Sequence, residues 1–192
     1  MSKAYGLELQ EGRLRMLAEL FDRRGRHVYG ESVTQLQHAL QCAALAEQEE
    51  ASDALVTAAL LHDVGHLLHR DAQQAFDDGV DDRHEAIGAS YLGAWFGDEV
   101  TRPIALHVQA KRYLCHVDPV YHRDLSPQSQ ATLRLQGGPM DPAEATAFGR
   151  RPHAASAIRV RRWDDAGKQP NRWTPPLSHF LKVAATCLVD RD

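Results

Sequence analysis

The sequence has few cysteines, no long apolar run and no excess of basic residues, and each of these absences excludes a class of protein. Cys42, Cys115 and Cys187 are far apart and form no C-x-x-C pair, which excludes a disulfide framework and a zinc ribbon and predicts reduced, mostly buried thiols. No segment approaches the roughly 18 apolar residues that a membrane span requires. The formal net charge of −4 argues against a surface for nucleic acid or anionic membranes, because both need clustered Lys and Arg.

The length and composition indicate one globular domain. The chain has 192 residues, of which 43% are hydrophobic and 25% charged, so it can bury a core without disulfides. We expect a single domain over 1–192 that is a monomer or a weak homo-oligomer. The first residues show no apolar segment followed by a small-residue cleavage site, which predicts a cytoplasmic protein.

Apolar residues recur at helical spacing along most of the chain, whereas strand-like alternation is scarce. Amphipathic helices are predicted over 14–21 and 36–45, and Ser52 is placed to cap a third helix that reaches about Leu68. After a polar loop, the capping-box pattern Asp82-x-x-Glu85 predicts a helix that continues to about Phe96.

Two further helix starts are marked by a capping side chain directly before proline, at Ser126-Pro127 and at Asp141-Pro142. Helical patterns follow over 154–165 and 177–189. The polar segment 169–176 between these two patterns carries no readable signal, so it can be a lid, an oligomer contact or a plain loop. The prediction is an all-α, compact helical bundle with its active site between central helices.

Histidine is unusually abundant, with 11 residues, several of them inside apolar helical segments. His62 and Asp63 interrupt the apolar run 60–68, and ionisable groups buried there need partners. A divalent metal ion is one such partner, because neutral imidazole and carboxylate are good ligands. Taken alone, the pair is equally explained by a His–carboxylate hydrogen bond or by a solvent-facing pair.

The wider context favours metal ligation. His38, His84 and His107 lie on three other predicted helices, and Asp164 supplies a late carboxylate. Six ligands exceed the usual protein complement of one ion, so we expect a two-metal centre. We hypothesise that one ion is held by His38, His62 and Asp164 and the other by His84 and His107, with Asp63 as a bridge and positions left open for substrate.

Four local motifs carry a resemblance to a known family, and they lie in the same order along the chain. They occupy 61–66 (LHDVGH), 111–115 (KRYLC), 135–140 (LQGGPM) and 161–165 (RRWDD). Together with the ligand pattern, they make 29–168 resemble the HD-domain superfamily, and more narrowly the PhnZ-type diiron oxygenases of organophosphonate catabolism, which are related to myo-inositol oxygenase. One departure is Gly167 where such enzymes more often have alanine, which is expected only to loosen the helix end.

The resemblance implies a mixed-valent Fe(II)/Fe(III) pair that uses O2 to cleave the carbon–phosphorus bond of a 1-hydroxyalkylphosphonate and release phosphate. Candidate substrates are 1-hydroxy-2-aminoethylphosphonate and its N-trimethyl analogue. It also implies substrate-binding roles for a set of polar residues: His66, Lys111, Ser129, Thr132, Gln136 and Arg161. For Lys111 and Arg161, the alternative is an ordinary solvated basic face.

Tyr29 and Glu31 precede His38 in a glycine-bearing loop. By resemblance, Tyr29 ligates an iron at rest and leaves when substrate enters, and Glu31 pairs with a substrate ammonium, so both are assigned catalytic and substrate-binding roles alongside the bridging Asp63. The alternative is an unremarkable loop before a helix.

Two other functions stay open at this point. An HD phosphohydrolase would use the same metals to activate water against a nucleotide or phosphomonoester. A non-catalytic HD module would only bind a ligand or partner, although the intact ligand set argues against it.

Overall fold

The computed structural model describes residues 3–28, 32–68, 74 and 78–189, and within them the chain is helical. The α-helices that these residues form are α1 Lys3–Arg24, α2 Gln35–Gln48, α3 Asp53–Leu61, α4 Val64–Leu68, α5 His84–Leu92, α6 Asp98–Val117, α7 Pro119–Asp124, α8 Pro127–Leu135, α9 Pro142–Gly149, α10 Ala154–Ala166 and α11 Leu177–Thr186. Strand pairing in the described chain is limited to one isolated bridge between Phe96 and Leu188. The all-α prediction is confirmed.

The long helix α6 lies at the centre of the bundle and packs against α3, α5 and α10, while α2 packs against α3 and α10. The main apolar core lies among these helices and α11, and its fully buried side chains include Leu60, Leu61, Phe96, Ile104 and Phe180. A smaller apolar cluster around Phe148 and Ala157 fixes α9 and α10 against α6. The helices that carry the candidate ligands are therefore held by close apolar packing.

Three predicted helix caps are formed. The side chain of Ser52 accepts from Leu55 N at 3.4 Å, and that of Ser126 accepts from Ser129 N at 3.1 Å. Asp141 accepts from Glu144 N at 2.8 Å in a complete capping box. Each cap satisfies a backbone N–H that the first turn of a helix leaves without a partner.

The predicted uninterrupted helix up to Leu68 is wrong, because α3 ends at Leu61 and α4 starts at Val64. At the break, the ring Nδ1 of His62 bonds the carbonyl of Ala59 at 2.9 Å. Gly65 then lies against the backbone of His84, where a Cβ would be 1.9 Å from the carbonyl oxygen. Only glycine allows this close approach, which brings the start of α5 beside the His62–Asp63 turn.

The predicted capping box at Asp82 and Glu85 is also wrong. Arg83 is the N-cap residue, with a left-handed φ of 50° and no side-chain cap. The carboxylate of Asp82 instead accepts from the backbone N of His84 at 3.2 Å and lies 2.9 Å from its ring Nδ1. The helix ends at Leu92 rather than Phe96, and the last helix ends at Thr186 rather than at residue 189.

Within the part of the chain that the structure describes, no helix combines the length and apolar character needed to cross a membrane. The three cysteines are free, with Cys42 and Cys115 buried and Cys187 partly exposed.

Candidate metal centre and substrate pocket

Four buried imidazoles converge between α2, α3, α5 and α6, and their Nε2 atoms meet in two pairs. His38 on α2 and His62 at the end of α3 have Nε2 atoms 3.3 Å apart. His84, the first residue of α5, and His107 on α6 have theirs 3.2 Å apart. The sequence therefore places four distant histidines in one cluster.

The carboxylate of Asp63 lies between the two pairs. Its Oδ1 is 3.5 Å from Nε2 of His62 and of His84, and 3.7 Å from that of His107. Its Oδ2 is 3.5 Å from Nε2 of His38. Asp164 on α10 adds a second carboxylate beside the first pair, 3.5 Å from His38 and 3.8 Å from His62.

The spacing of these donor atoms suits transition-metal ions. Two ligand atoms that are each about 2.1 Å from one ion lie roughly 3 to 3.5 Å apart. The Nε2 pairs and most of the carboxylate contacts fall in or close to this range. One group comprises His38, His62 and Asp164, the other His84 and His107, and Asp63 reaches both.

The far nitrogen of each ring is held by an oxygen acceptor, which orients the near nitrogen toward the cluster. Nδ1 of His62 and of His107 lie 2.9 and 2.8 Å from the carbonyls of Ala59 and Ile104. Nδ1 of His38 lies 3.0 Å from the carbonyl of Gly167, and that of His84 lies 2.9 Å from Asp82. Donation from Nδ1–H orients Nε2 toward the cluster, where a neutral ring offers its lone pair to a metal ion.

The electrostatics of the cluster favour anionic carboxylates. Burial opposes the charge of Asp63, but the surrounding imidazoles, His62 first, hold the pKa of its carboxyl well below the ordinary value. Burial lowers the pKa of His107 and of His62, so these rings are neutral. Burial also opposes protonation of His84, yet Asp82 and Asp63 raise its pKa to about 9. A metal ion at His84 must therefore displace a proton.

A pocket opens from this cluster and is cationic at one end. Lys111 donates from Nζ to Oγ1 of Thr132 at 2.9 Å, and Lys168 donates to Oγ of Ser129 at 3.1 Å. Arg161 contacts the same Ser129 hydroxyl at 3.4 Å. The proposed substrate residues Lys111, Ser129, Thr132 and Arg161 are thus brought together on one wall of the pocket.

Lys111 and Arg161 are only 2% and 3% exposed, so the alternative of a solvated basic face is wrong for both. Burial and the neighbouring Arg161 lower the pKa of Lys111 to about 7. Oε1 of Gln136 also lines the pocket and is buried with no hydrogen-bond partner among the described residues. A buried acceptor of this kind needs a ligand or a water to satisfy it.

His66 also lines the pocket. Its ring stacks on that of His84 with centroids 3.9 Å apart, and its Nδ1 lies 2.8 Å from Oδ2 of Asp82. Tyr29 and Glu31, which were predicted to act beside the centre, lie outside the described residues.

Sequence reasoning missed three contributors to the site. Asp82 orients two imidazoles, Lys168 adds a third cation, and Gly167 is more than a loose helix end. A Cβ at residue 167 would lie 2.6 Å from Sγ of Cys42, directly behind His38. The available signal for Lys168 was its spacing, since it follows Asp164 by four residues, or one helical turn.

The HD domain family model matches residues 35–143. The hydroxymethylphosphonate dioxygenase of Gimesia maris is 45% identical over 178 residues, which cover 92% of this chain and 88% of that protein. The [1-hydroxy-2-(trimethylamino)ethyl]phosphonate dioxygenase (glycine-betaine-forming) of Leisingera caerulea is 41% identical over 185 residues, 95% and 94% of the two chains. An uncharacterized protein of Acanthamoeba polyphaga mimivirus is 34% identical over 171 residues, 87% of this chain and 78% of its own length. The chain therefore belongs to the HD-domain family and, within it, to the phosphonate dioxygenases.

Proposed function

We propose that this protein is an iron-dependent oxygenase that uses O2 to cleave the carbon–phosphorus bond of a 1-hydroxyalkylphosphonate. The observation that carries the proposal is a six-donor centre, five residues of which line a pocket that also holds three cations and two hydroxyls. The names of two relatives that match most of the chain support the same reaction class.

The donor set fits two first-row metal ions, because four imidazoles and two carboxylates form two groups that share Asp63. His38, His62 and Asp164 would hold one ion, and His84 and His107 the other. When bound, an iron pair supplies O2 activation and a place for the substrate hydroxyl.

The chain itself supplies the recognition of the phosphonate. Lys111, Lys168 and Arg161 place positive charge around the Ser129 hydroxyl, and buried cations bind phosphoryl oxygens more strongly than solvated ones. Thr132 and Gln136 add polar groups at the same wall. These groups would hold the phosphonate oxygens, so that the hydroxyl-bearing carbon could face the metal centre.

The overall reaction balances without another reductant. The carbinol carbon loses its bond to phosphorus and becomes a carboxylic acid, while the phosphorus leaves as inorganic phosphate. The four electrons that the substrate gives up reduce one O2 molecule, whose two oxygen atoms complete the products. A substrate with a primary amine, such as 1-hydroxy-2-aminoethylphosphonate, would yield glycine.

The pocket is also suited to a substrate amine. Asp81 and Asp82 line it together with Val33 and Val80. Since Asp82 is already paired with His66 and His84, Asp81 is the described carboxylate best placed to attract an ammonium group. The resemblance assigns that ammonium to Glu31, which lies outside the described residues.

The experiment is aerobic incubation of the iron-loaded protein with hydroxymethylphosphonate, 1-hydroxy-2-aminoethylphosphonate and its N-trimethyl analogue, with phosphate and O2 measured together. We expect one phosphate released for each O2 consumed with at least one substrate. Phosphate release from p-nitrophenyl phosphate without oxygen, and none from the hydroxyphosphonates in air, would favour the phosphohydrolase alternative.

We also propose that 1–192 forms one domain. The family match ends at residue 143, but Asp164 and Lys168 lie in the same pocket as His38 and His107. Limited proteolysis of the metal-loaded protein should therefore release no stable fragment that ends near residue 143.

A further inference from the structure

Arg161 connects the candidate metal centre to the candidate phosphonate pocket. One terminal nitrogen of its guanidinium lies 2.6 Å from Oδ2 of Asp164, and the other lies 3.4 Å from the hydroxyl of Ser129. An arginine side chain is flexible and could rotate away from either contact. Whether Arg161 keeps both contacts therefore depends on what binds the remaining edge of its guanidinium.

Tyr121 and Asp165 hold that remaining edge. Nε of Arg161 donates to Oδ2 of Asp165 at 3.0 Å and lies 3.1 Å from the hydroxyl of Tyr121, and a terminal nitrogen contacts Oδ1 of the same carboxylate. The Tyr121 hydroxyl in turn donates to Oδ2 of Asp165 at 2.6 Å. The Asp165 carboxylate therefore binds the Arg161 guanidinium in the bidentate geometry that fixes the plane of the guanidinium.

Judged by its charge alone, Asp165 should weaken phosphonate binding. A carboxylate beside a pocket for a dianionic phosphonate repels the ligand and partly cancels the charge of Arg161. Asp165 must then contribute by orienting Arg161, because a guanidinium that is bound along one edge directs its other edge to one fixed position. Burial raises the pKa of Tyr121, so its hydroxyl stays a donor to Asp165.

We propose that Tyr121 and Asp165 are positioning residues that fix the plane of Arg161, so that it donates to Asp164 on one side and to the substrate phosphonate on the other. The inference rests on the proposed function, because it takes the wall around Ser129 as the phosphonate site. It assigns a role to Tyr121, an aromatic residue on α7 that is separated from Arg161 by 40 residues in sequence.

The test measures binding of methylphosphonate, which lacks the hydroxyl and cannot enter the proposed reaction, to the iron-loaded protein by calorimetry without oxygen. Asp165→Ala should weaken binding about tenfold to hundredfold, the usual effect of losing hydrogen bonds to a charged group. Asp165→Asn keeps an acceptor for Arg161 and should stay within about threefold of wild type. Tyr121→Phe should weaken binding by roughly threefold to tenfold.

The matched control is Tyr113→Phe, which removes a phenol hydroxyl from α6 where the ring packs on Phe148; it should leave methylphosphonate binding unchanged. A carboxylate that acted only through its charge would give the opposite sign, with tighter binding in both Asp165→Ala and Asp165→Asn. Tighter or unchanged binding in Asp165→Ala and Tyr121→Phe overturns the inference. If Asp165→Ala fails to fold, methylphosphonate binding by Asp165→Asn and Tyr121→Phe still tests the inference.

The two proposals fail differently. If the wild-type protein binds methylphosphonate but releases no phosphate from any hydroxyphosphonate in air, the proposed reaction is wrong while the variants still test the positioning. If the wild-type protein turns over but Asp165→Ala and Tyr121→Phe bind methylphosphonate like wild type, only the positioning is wrong. No methylphosphonate binding by the wild-type protein would also overturn the positioning role.

Discussion

The backbone carbonyl of Gly167 lies 3.0 Å from Nδ1 of His38, and it joins the end of α10 to a ring on α2 that is 129 residues away in sequence. The same glycine packs against Cys42, one turn along α2 from His38, so closely that a Cβ would lie 2.6 Å from Sγ. The orientation of one candidate ligand thus depends on the absence of a side chain on another helix.

Gly167→Ala should therefore displace His38 and destabilise the protein by about 1 to 3 kcal/mol, as overpacking of a dense interior does. Metal affinity should fall as well. The double variant Gly167→Ala/Cys42→Ala removes the nearer atom and should recover part of both losses, while Cys42→Ala alone tests the cost of the cavity. Chemical denaturation and metal titration measure the two effects; strict additivity would contradict the proposed contact.

Asp82 should control metal binding although it is not a candidate ligand. Its carboxylate lies 2.9 Å from Nδ1 of His84 and orients that ring. Asp82→Ala should lower metal affinity at this position by about tenfold to hundredfold, measured by competition with a chelator. The exposed Asp78 provides the control, and Asp78→Asn should bind metal like wild type. Equal affinity in Asp82→Ala would show that His84 needs no such support.

Removal of the imidazole of His84 or of His107 should empty one metal position without unfolding the helical bundle. His84→Ala and His107→Ala each delete one imidazole of the second pair, so each variant should lose about one metal ion per chain and all phosphate release. Far-ultraviolet circular dichroism should remain helical, because the main apolar core does not depend on these two rings. Full activity in either variant would contradict a centre with two ions.

Lys111 should give phosphonate binding a pH dependence near neutrality. Its pKa is lowered to about 7 by burial and by Arg161, so the cationic form dominates below that pH and is lost as the pH rises. The KM for the phosphonate should therefore increase above pH 7 in the wild-type protein. In Lys111→Met the KM should be high throughout, and this component of the pH dependence should vanish.

The substrate's own ionisation affects both proteins equally, so the difference between their pH profiles isolates Lys111. The exposed Lys182 supplies the control, since Lys182→Met removes a charge far from the pocket lining. Identical profiles for wild type and Lys111→Met would rule out a charged Lys111 as a phosphonate ligand.

Local patterns were sufficient to predict most of the helices, though not α7, and three of their caps, at Ser52, Ser126 and Asp141, because a cap is decided within one turn. The break at 62–63 was not predictable from periodicity, since the apolar pattern continues to Leu68. It arises where Gly65 meets the backbone of His84, a contact between segments that only the folded chain brings together. The left-handed Arg83 that displaces the expected capping box directly precedes His84.

The candidate ligands were readable from sequence because His-Asp pairs inside apolar helices are chemically unusual. The supporting residues were not. Asp82 and Tyr121 look like ordinary loop and surface residues, and Arg161 stands in a run of arginines that mostly face solvent. Arg161 differs from the neighbouring arginines in being buried. Its burial follows from the packing of α10 against α6, which no local sequence pattern predicts.

The most direct test of the account is anomalous diffraction at the iron absorption edge from crystals of the iron-loaded protein. We expect two peaks about 3.5 to 4 Å apart, one beside His38, His62 and Asp164 and the other beside His84 and His107, with Asp63 between them. A single peak, or iron bound away from these six side chains, would contradict it.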